Sequence, residues 1–359
     1  MLKRFYNIEF LRVVLTFSII FYHLQWTLFN NFTEVPIYSR FLITAWSGDQ
    51  AVDFFFILAG FFLVYTYKEI SLLDFIKRKI IRLWPVILFC FILKLLIFPI
   101  VGQRVHGWDL SLSLFFMDAI GWNVISVGET WFVSVLFWVS IFYFYLIKHF
   151  DKSKVFLTIA LITWFCYTFE IHANQGGLRG VEVTWGYVFN TGLMRALGGI
   201  GIGCLIAKFY QSFHSMNSVE IMAKPKYLMI GIIELILLLF VISIPLFIRN
   251  PFHNIIILVI AFVGLVVLFL IEAGWVSKFL NKSYWQKLSR YSYSIYLTHL
   301  IVIYSLKPLW LSHRDFVIMY PVSQIVLVFF LSVLVGFLVF HSIEKPGAEL
   351  LKKFFFANK

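Results

Sequence analysis

Residues 7–24 read NIEFLRVVLTFSIIFYHL. The ionisable residues in this run are Glu9, Arg12 and His23, and nearly everything else is apolar. With its continuation to residue 28, the run is long enough for a bilayer-spanning helix, which needs about 20 apolar residues. The same pattern recurs along the chain. Runs near 8–28, 43–65, 83–101, 128–147, 154–170, 185–207, 228–247, 253–271, 291–311 and 320–341 are separated by charged or Pro- and Gly-containing gaps. Hydrophobic residues make up 61% of the 359, charged residues only 13%, and mean hydropathy is +0.88. A typical soluble domain has about 25% charged residues, and a soluble chain of this length has no way to hide so much apolar surface. The expected fold is therefore all-α: a polytopic transmembrane helical bundle of about ten spans. Residues 1–346 form the membrane domain, and 347–359 a short basic tail. Lys3 and Arg4 before an apolar run mimic a signal peptide. Glu9 and Arg12 interrupt that run and no A-x-A site follows His23, so the first span is expected to be retained.

Charge placement orients the bundle. With the N-terminus inside, the only Lys and Arg falling in outer gaps are Arg40, Arg104, Arg179, Arg249, Lys307 and Arg314. Arg12, Lys94 and Arg195 lie within spans, and every other basic residue falls on the inner side. This bias predicts an N-in, C-in topology. The net charge of +12 is therefore explained by membrane topology and anionic headgroups. No basic, aromatic-interleaved soluble face exists to suggest nucleic acid.

Other classes are disfavoured by what the motifs omit. Cys90, Cys166 and Cys204 sit in apolar runs without a CxxC pair and read as packing residues. No HExxH, Walker A, dinucleotide-binding glycine pattern or G-x-S-x-G elbow occurs, and no metal site is expected. The gap at 102–127 contains LSLSLFFMDAI (110–120), too short to span and therefore interfacial or re-entrant. Residues 72–82 alternate apolar and basic side chains, as in a surface helix leading into the third span.

Ionisable groups within spans cost roughly 2.5–3.5 kcal/mol on insertion scales, so each is a functional candidate. Eleven residues at about 100° each return to within roughly 20° of whole turns. Arg12 and His23 thus share a face of the first helix, about 16 Å apart along its axis, and Glu9 can pair with Arg12. The plainer alternative is that Arg12 snorkels and His23 bonds a neighbouring helix. Asp53, in GDQAVDFFFILAGFF (48–62), must be paired, protonated or facing a wet cavity. It can orient His23 as the third member of a triad does, or serve packing with some other polar group. FIKRKIIRLWP (75–85) gathers Lys77, Arg78, Lys79 and Arg82 at the inner surface. Such a cluster can hold phosphates through Arg forks, or simply anchor the chain to anionic lipid. In YSYSIYLTHLIVIY (291–304), Ser292, Tyr296 and His299 form a polar stripe that lines a cavity or glues helices together. Arg195 and Glu129-Thr130-Trp131 complete the polar inventory.

Taken in order, these pieces resemble integral-membrane acyltransferase family 3. Arg12 and His23 match its R-x10-H element. VDFFFILAGFFL (52–63) resembles V-D-L-F-F-V-L-S-G, and FIKRKIIRLWP resembles F-x-x-R-R-x-x-R-x-x-P. ETWFVSVLFW (129–138) is similar to the W-x-L-S region, LSRYSYSIYLTHL (288–300) to S-Y-S-I-Y-L-x-H, and HSIEKP (341–346) to the closing E-x-P. Ala59 stands for the usual Ser, Lys79 for the first Arg of R-x-x-R, and Leu136 where many members have Glu.

The resemblance implies transfer of an acyl group, usually acetyl, from cytoplasmic acyl-CoA to a hydroxyl of a cell-surface or lipid-linked carbohydrate. On that reading Arg12, Arg78, Lys79 and Arg82 bind the phosphates of the acyl-CoA donor, which is a substrate rather than a resident cofactor. His23 is the base or acyl relay, Asp53 holds its imidazole, and Ser292, Tyr296 and His299 contact substrate. The expected partners are membrane lipids, acyl-CoA and the glycan or lipid-linked sugar acceptor. The expected location is a bacterial inner membrane. The rival classes are a transporter or flippase for a lipid-linked sugar and a non-catalytic subunit of polysaccharide assembly.

Overall fold

The computed structural model describes residues 3–31, 48–102, 107–118, 120, 128–173, 184–185, 189–216, 224–247 and 255–357. Its long elements follow the apolar runs. α1 is Tyr6–Asn31 and α2 is Ala51–Tyr65, entered through a single 3-10 turn at Gly48–Gln50. α3 spans Leu72–Ile100, α4 Gly107–Leu114, α5 Thr130–His149 and α6 Lys152–Ala173. A two-residue ladder pairs Thr184 with Asn190 and Trp185 with Phe189. Then follow α7 (Thr191–Met216), α8 (Lys224–Phe247), α9 (Ile255–Ile271), α10 (Trp275–Leu280) and α11 (Tyr284–Ser289). α12 (Ser292–Ser312), α13 (Arg314–Met319), α14 (Pro321–Val339) and α15 (Lys345–Phe356) close the chain.

Among the described residues, eight helices are long and apolar enough to cross a membrane, and Ala51–Tyr65 and Ile256–Ile271 are shorter apolar helices. Together they occupy the ten expected runs. The protein is an all-α transmembrane bundle. Peripheral helices keep large apolar side chains outward, as lipid requires: Trp164 and Phe165 on α6, Ile232 and Ile236 on α8, Val326 and Phe330 on α14.

The structure adds detail at several joints. The basic stretch 72–82 is not a separate surface helix. Ser71 caps α3 by accepting the Asp74 amide (2.9 Å), and the helix runs on through Pro85 to Ile100. The tail is likewise continuous with the last span. A π turn at Phe340–Glu344 joins α14 to α15, and α15 packs back on α3 with Gly347 against Pro85. Much of the gap at 102–127 lies outside the described residues, but its central part folds back along α3. The Trp84 indole donates to the Leu114 carbonyl (3.3 Å), and the Trp138 indole to that of Phe116 (2.9 Å). Trp84 is about 24 Å of helix below Ile100, so this segment is re-entrant.

The short length of α2 has a physical reason. Gly48, just before it, fits against the Ser18 carbonyl and Tyr22 of α1. This places the start of α2 about 14–20 Å short of the C-terminal end of α1, from the helix rise. α2 then crosses α7 backbone to backbone. A Cβ on Gly60 would strike the Ile200 carbonyl, one on Gly203 the Ile57 carbonyl, and one on Gly199 would meet the Phe56 Cβ at 2.7 Å. Small residues four apart allow this close approach, which replaces a hydrophobic driving force that lipid cannot supply.

Gly203→Leu should therefore cost about 3 kcal/mol or more through overpacking and abolish a monodisperse peak in detergent size-exclusion chromatography. Gly264→Ala, whose Cβ would meet only Leu237 at 3.4 Å, should leave that peak unchanged.

Candidate functional site

Polar side chains gather at two levels, joined by the stripe on α1. The lower level lies at the end of the bundle that carries the basic residues of α3. Arg12 donates to Glu9 (2.8 Å), and the Ser289 hydroxyl donates to the same Glu9 oxygen (2.5 Å). From the π turn, Glu344 accepts from Ser294, and Tyr293 donates to the Leu83 carbonyl (2.7 Å). Arg82 lies within electrostatic range of Arg12, Glu344 and Glu9, with Lys79 beside it. Arg82 is exposed, and the Arg12 side chain keeps 22% of its surface open, so both guanidiniums can be reached by an anion. The structure thus brings Arg12, Lys79 and Arg82 together from two helices. Arg78, one turn from Arg82, has an aromatic neighbour. That guanidinium lies over the Phe356 ring of α15 at 5.9 Å, and Lys77 lies over Phe355 at 5.7 Å.

The upper level is built where three helices begin inside the bundle. Asp53 lies in the first turn of α2, Arg195 is the fifth residue of α7, and Glu129 is the residue before α5. The Asp53 carboxylate accepts both Nη2 (2.8 Å) and Nε (3.3 Å) of Arg195. Each side chain is essentially excluded from solvent, and the guanidinium packs over the Trp131 ring at 5.6 Å. Asp53 therefore does not hold His23, as the triad reading expects. Its carboxylate is occupied by the only cation within reach of a fork-to-fork contact among its described partners. A fully buried carboxylate requires such a counter-charge. Lys94 makes the second buried pair, donating to Glu129 at 2.9 Å. The Tyr296 hydroxyl donates to the Glu129 carbonyl (2.9 Å), so that group of the polar stripe is engaged.

The partner of His23 is another imidazole. Its ring lies 5.1 Å from that of His299, centroid to centroid, and His299 is fully buried behind it while His23 stays partly exposed. His299 Nδ1 is held by the Tyr296 carbonyl at 2.5 Å. Ser292, the lowest member of the expected stripe, is buried in the first turn of α12. It sits about 10 Å along the axis from His299, nearer the lower level.

Sequence reasoning missed the pairing of these charges rather than their presence. Lys94, Glu129 and Arg195 were each visible as intramembrane ionisable groups, but which carboxylate meets which cation depends on how helices stack. Glu234 is a useful contrast. It is equally buried, yet both oxygens are consumed in accepting the Gly274 and Ser277 amides (2.9 Å each), capping α10 in a structural role. An apolar groove of about 400 Å³, lined by Ile76, Trp84, Phe115 and Trp138 among others, contains none of these polar groups and is not the site.

A protein-family model described as an acyltransferase domain matches residues 5–341. No curated protein and no solved structure matches the chain.

Removing one member of a buried ion pair leaves the other uncompensated, at a cost of about 3–5 kcal/mol. Asp53→Asn should accordingly lower the thermal stability of the purified protein. Replacing both partners, Asp53→Leu with Arg195→Met, should recover most of the loss. If Asp53 served chemistry alone, Asp53→Asn would unfold at the wild-type temperature.

Proposed function

The chain belongs to acyltransferase family 3 and is a multi-pass membrane acyltransferase, and from that premise we propose that it moves an acyl group, most simply acetyl, from cytoplasmic acyl-CoA to a carbohydrate hydroxyl. The acceptor is a cell-surface or lipid-linked glycan, and the membrane is the bacterial inner membrane with the Lys- and Arg-rich end facing the cytoplasm. The observation carrying this reading is the alignment of two levels along α1: the accessible guanidinium of Arg12 below, joined by that of Arg82 from α3, and the partly exposed imidazole of His23 above.

Coenzyme A carries several phosphates at one end and its thioester at the end of a long arm. Arg12 and Arg82, with Lys79, provide the charge-assisted donors that phosphates favour. The rise from Arg12 to His23, about 16 Å of helix, suits an extended arm. At the upper level His23 takes the proton of the acceptor hydroxyl as its oxygen attacks the thioester carbonyl. The C–O bond forms, the C–S bond breaks, and the departing thiolate recovers the proton from His23. A variant of the same chemistry passes the acyl group through the imidazole itself.

The test is mass spectrometry of surface glycans from cells producing either the wild-type chain or His23→Ala at matched membrane levels. The wild type should add an acyl mass that the variant does not. Identical glycans in both would favour a transport or assembly role instead. In membranes supplied with acetyl-CoA, Arg82→Ala should raise the donor KM about tenfold, equivalent to roughly 1.4 kcal/mol, with kcat within about twofold. A fall in kcat at unchanged KM would remove Arg82 from donor binding.

A further inference from the structure

A neutral imidazole has one N–H and one lone pair, and the hydrogen bond made by one nitrogen decides the role of the other. In His299, Nδ1 lies 2.5 Å from the carbonyl oxygen of Tyr296. A carbonyl oxygen only accepts, so Nδ1 must carry the proton and Nε2 is left with the lone pair. That Nε2 is buried and has no hydrogen-bond partner. It lies on the side of the ring away from its own helix backbone. A buried acceptor left unsatisfied costs stability, typically about 1–3 kcal/mol, and here the neighbouring ring belongs to His23.

The spacing fits a proton-sharing pair. Two imidazoles joined edge to edge by an N–H···N bond of about 2.9 Å have centroids roughly 5 Å apart. The observed separation is 5.1 Å, with the ring planes inclined at 46°. The bond is open in this structure, and a reorientation of the rings is needed to close it. Catalytic hydrogen bonds commonly tighten in this way only when substrate is bound.

We propose that His299 is the positioning residue for His23: its Nε2 accepts the N–H of the His23 imidazole, fixes the tautomer of that ring, and supports the charge it acquires when the acceptor hydroxyl gives up its proton. This assignment rests on the acyl-transfer reading and deepens it. It gives His299 the role that sequence reasoning reserved for Asp53, using a neutral group where a carboxylate is already committed to Arg195. The surroundings are consistent with a neutral partner. Lys94 of α3 faces His299 within electrostatic range, and its charge is matched by Glu129 beside α5. From α12 itself Tyr296 supplies the carbonyl, and its hydroxyl is tied to the Glu129 carbonyl.

Diethyl pyrocarbonate tests the pair without knowledge of the glycan. The free nitrogen of His23 attacks its carbonyl carbon, forming a C–N bond and expelling ethyl carbonate, while the proton on the other His23 nitrogen passes to His299 Nε2. The rate at His23 is read by peptide mass spectrometry of the purified full-length protein. His299→Asn keeps a donor for the Tyr296 carbonyl but has no atom at the Nε2 position, and His23 should then react about tenfold more slowly. His299→Gln returns an acceptor oxygen near that position and should restore part of the rate. A wild-type rate in His299→Asn would overturn the assignment. Equal slowing in both variants would also overturn it, since a packing role alone predicts that result. Failure of glycan acylation together with an intact His23 response would overturn the function and leave the pair standing.

Discussion

Two ion pairs closed off from solvent, Asp53–Arg195 and Lys94–Glu129, set the terms for the rest of this bundle. A charge in hydrocarbon is tolerated only when a counter-charge meets it with good geometry, and the geometry must be held by the fold. Arg195 reaches Asp53 because α2 and α7 touch through Gly60, Gly199 and Gly203. Lys94 reaches Glu129 because α5 begins about 9 Å below the end of α3, from the rise between Lys94 and Ile100. Close packing and charge pairing are thus one arrangement viewed from two sides.

That arrangement explains why the helices bearing these groups start inside the bundle. A helix beginning within the membrane exposes amide groups that nothing in lipid can satisfy, so such ends are found only where protein surrounds them. Here the starts of α2, α5 and α7 meet around Trp131, which touches Phe56 and Arg195, and Tyr296 packs on Phe132. The re-entrant segment fills the space beside α5, with Phe116 stacked on Phe137 at 4.1 Å.

Much of this was legible beforehand. Ten apolar runs can be read from hydropathy because backbone in lipid must be helical, and the stripe from Arg12 to His23 follows from helix geometry alone. The short helices α10, α11 and α13 were not anticipated, since six residues in a loop carry no usable period. Asp53 was legible as a group needing a partner, but the partner was not, because Arg195 lies 142 positions away. Arg78 and Arg82 were equivalent in sequence, one turn apart on one helix. α15 distinguishes them by presenting Phe356 to Arg78, while Arg82 lies within electrostatic range of Arg12 and Glu344. His299 was legible as polar, whereas its proton arrangement depends on a carbonyl that only the folded backbone brings to it.

The π turn at Phe340–Glu344 fixes a rotational phase. One extra residue in a helical turn advances everything beyond it by about 100° around the axis. Upstream of the turn, α14 keeps the register dictated by lipid. Downstream, α15 keeps one dictated by α3, with its terminal aromatic rings over Lys77 and Arg78. Glu344 is the residue at the phase change, and so the carboxylate that meets Ser294 and Arg82 is set by a local slip of the helix. The basic end of the molecule is tuned, in effect, by the gearing between two helices that share one continuous backbone.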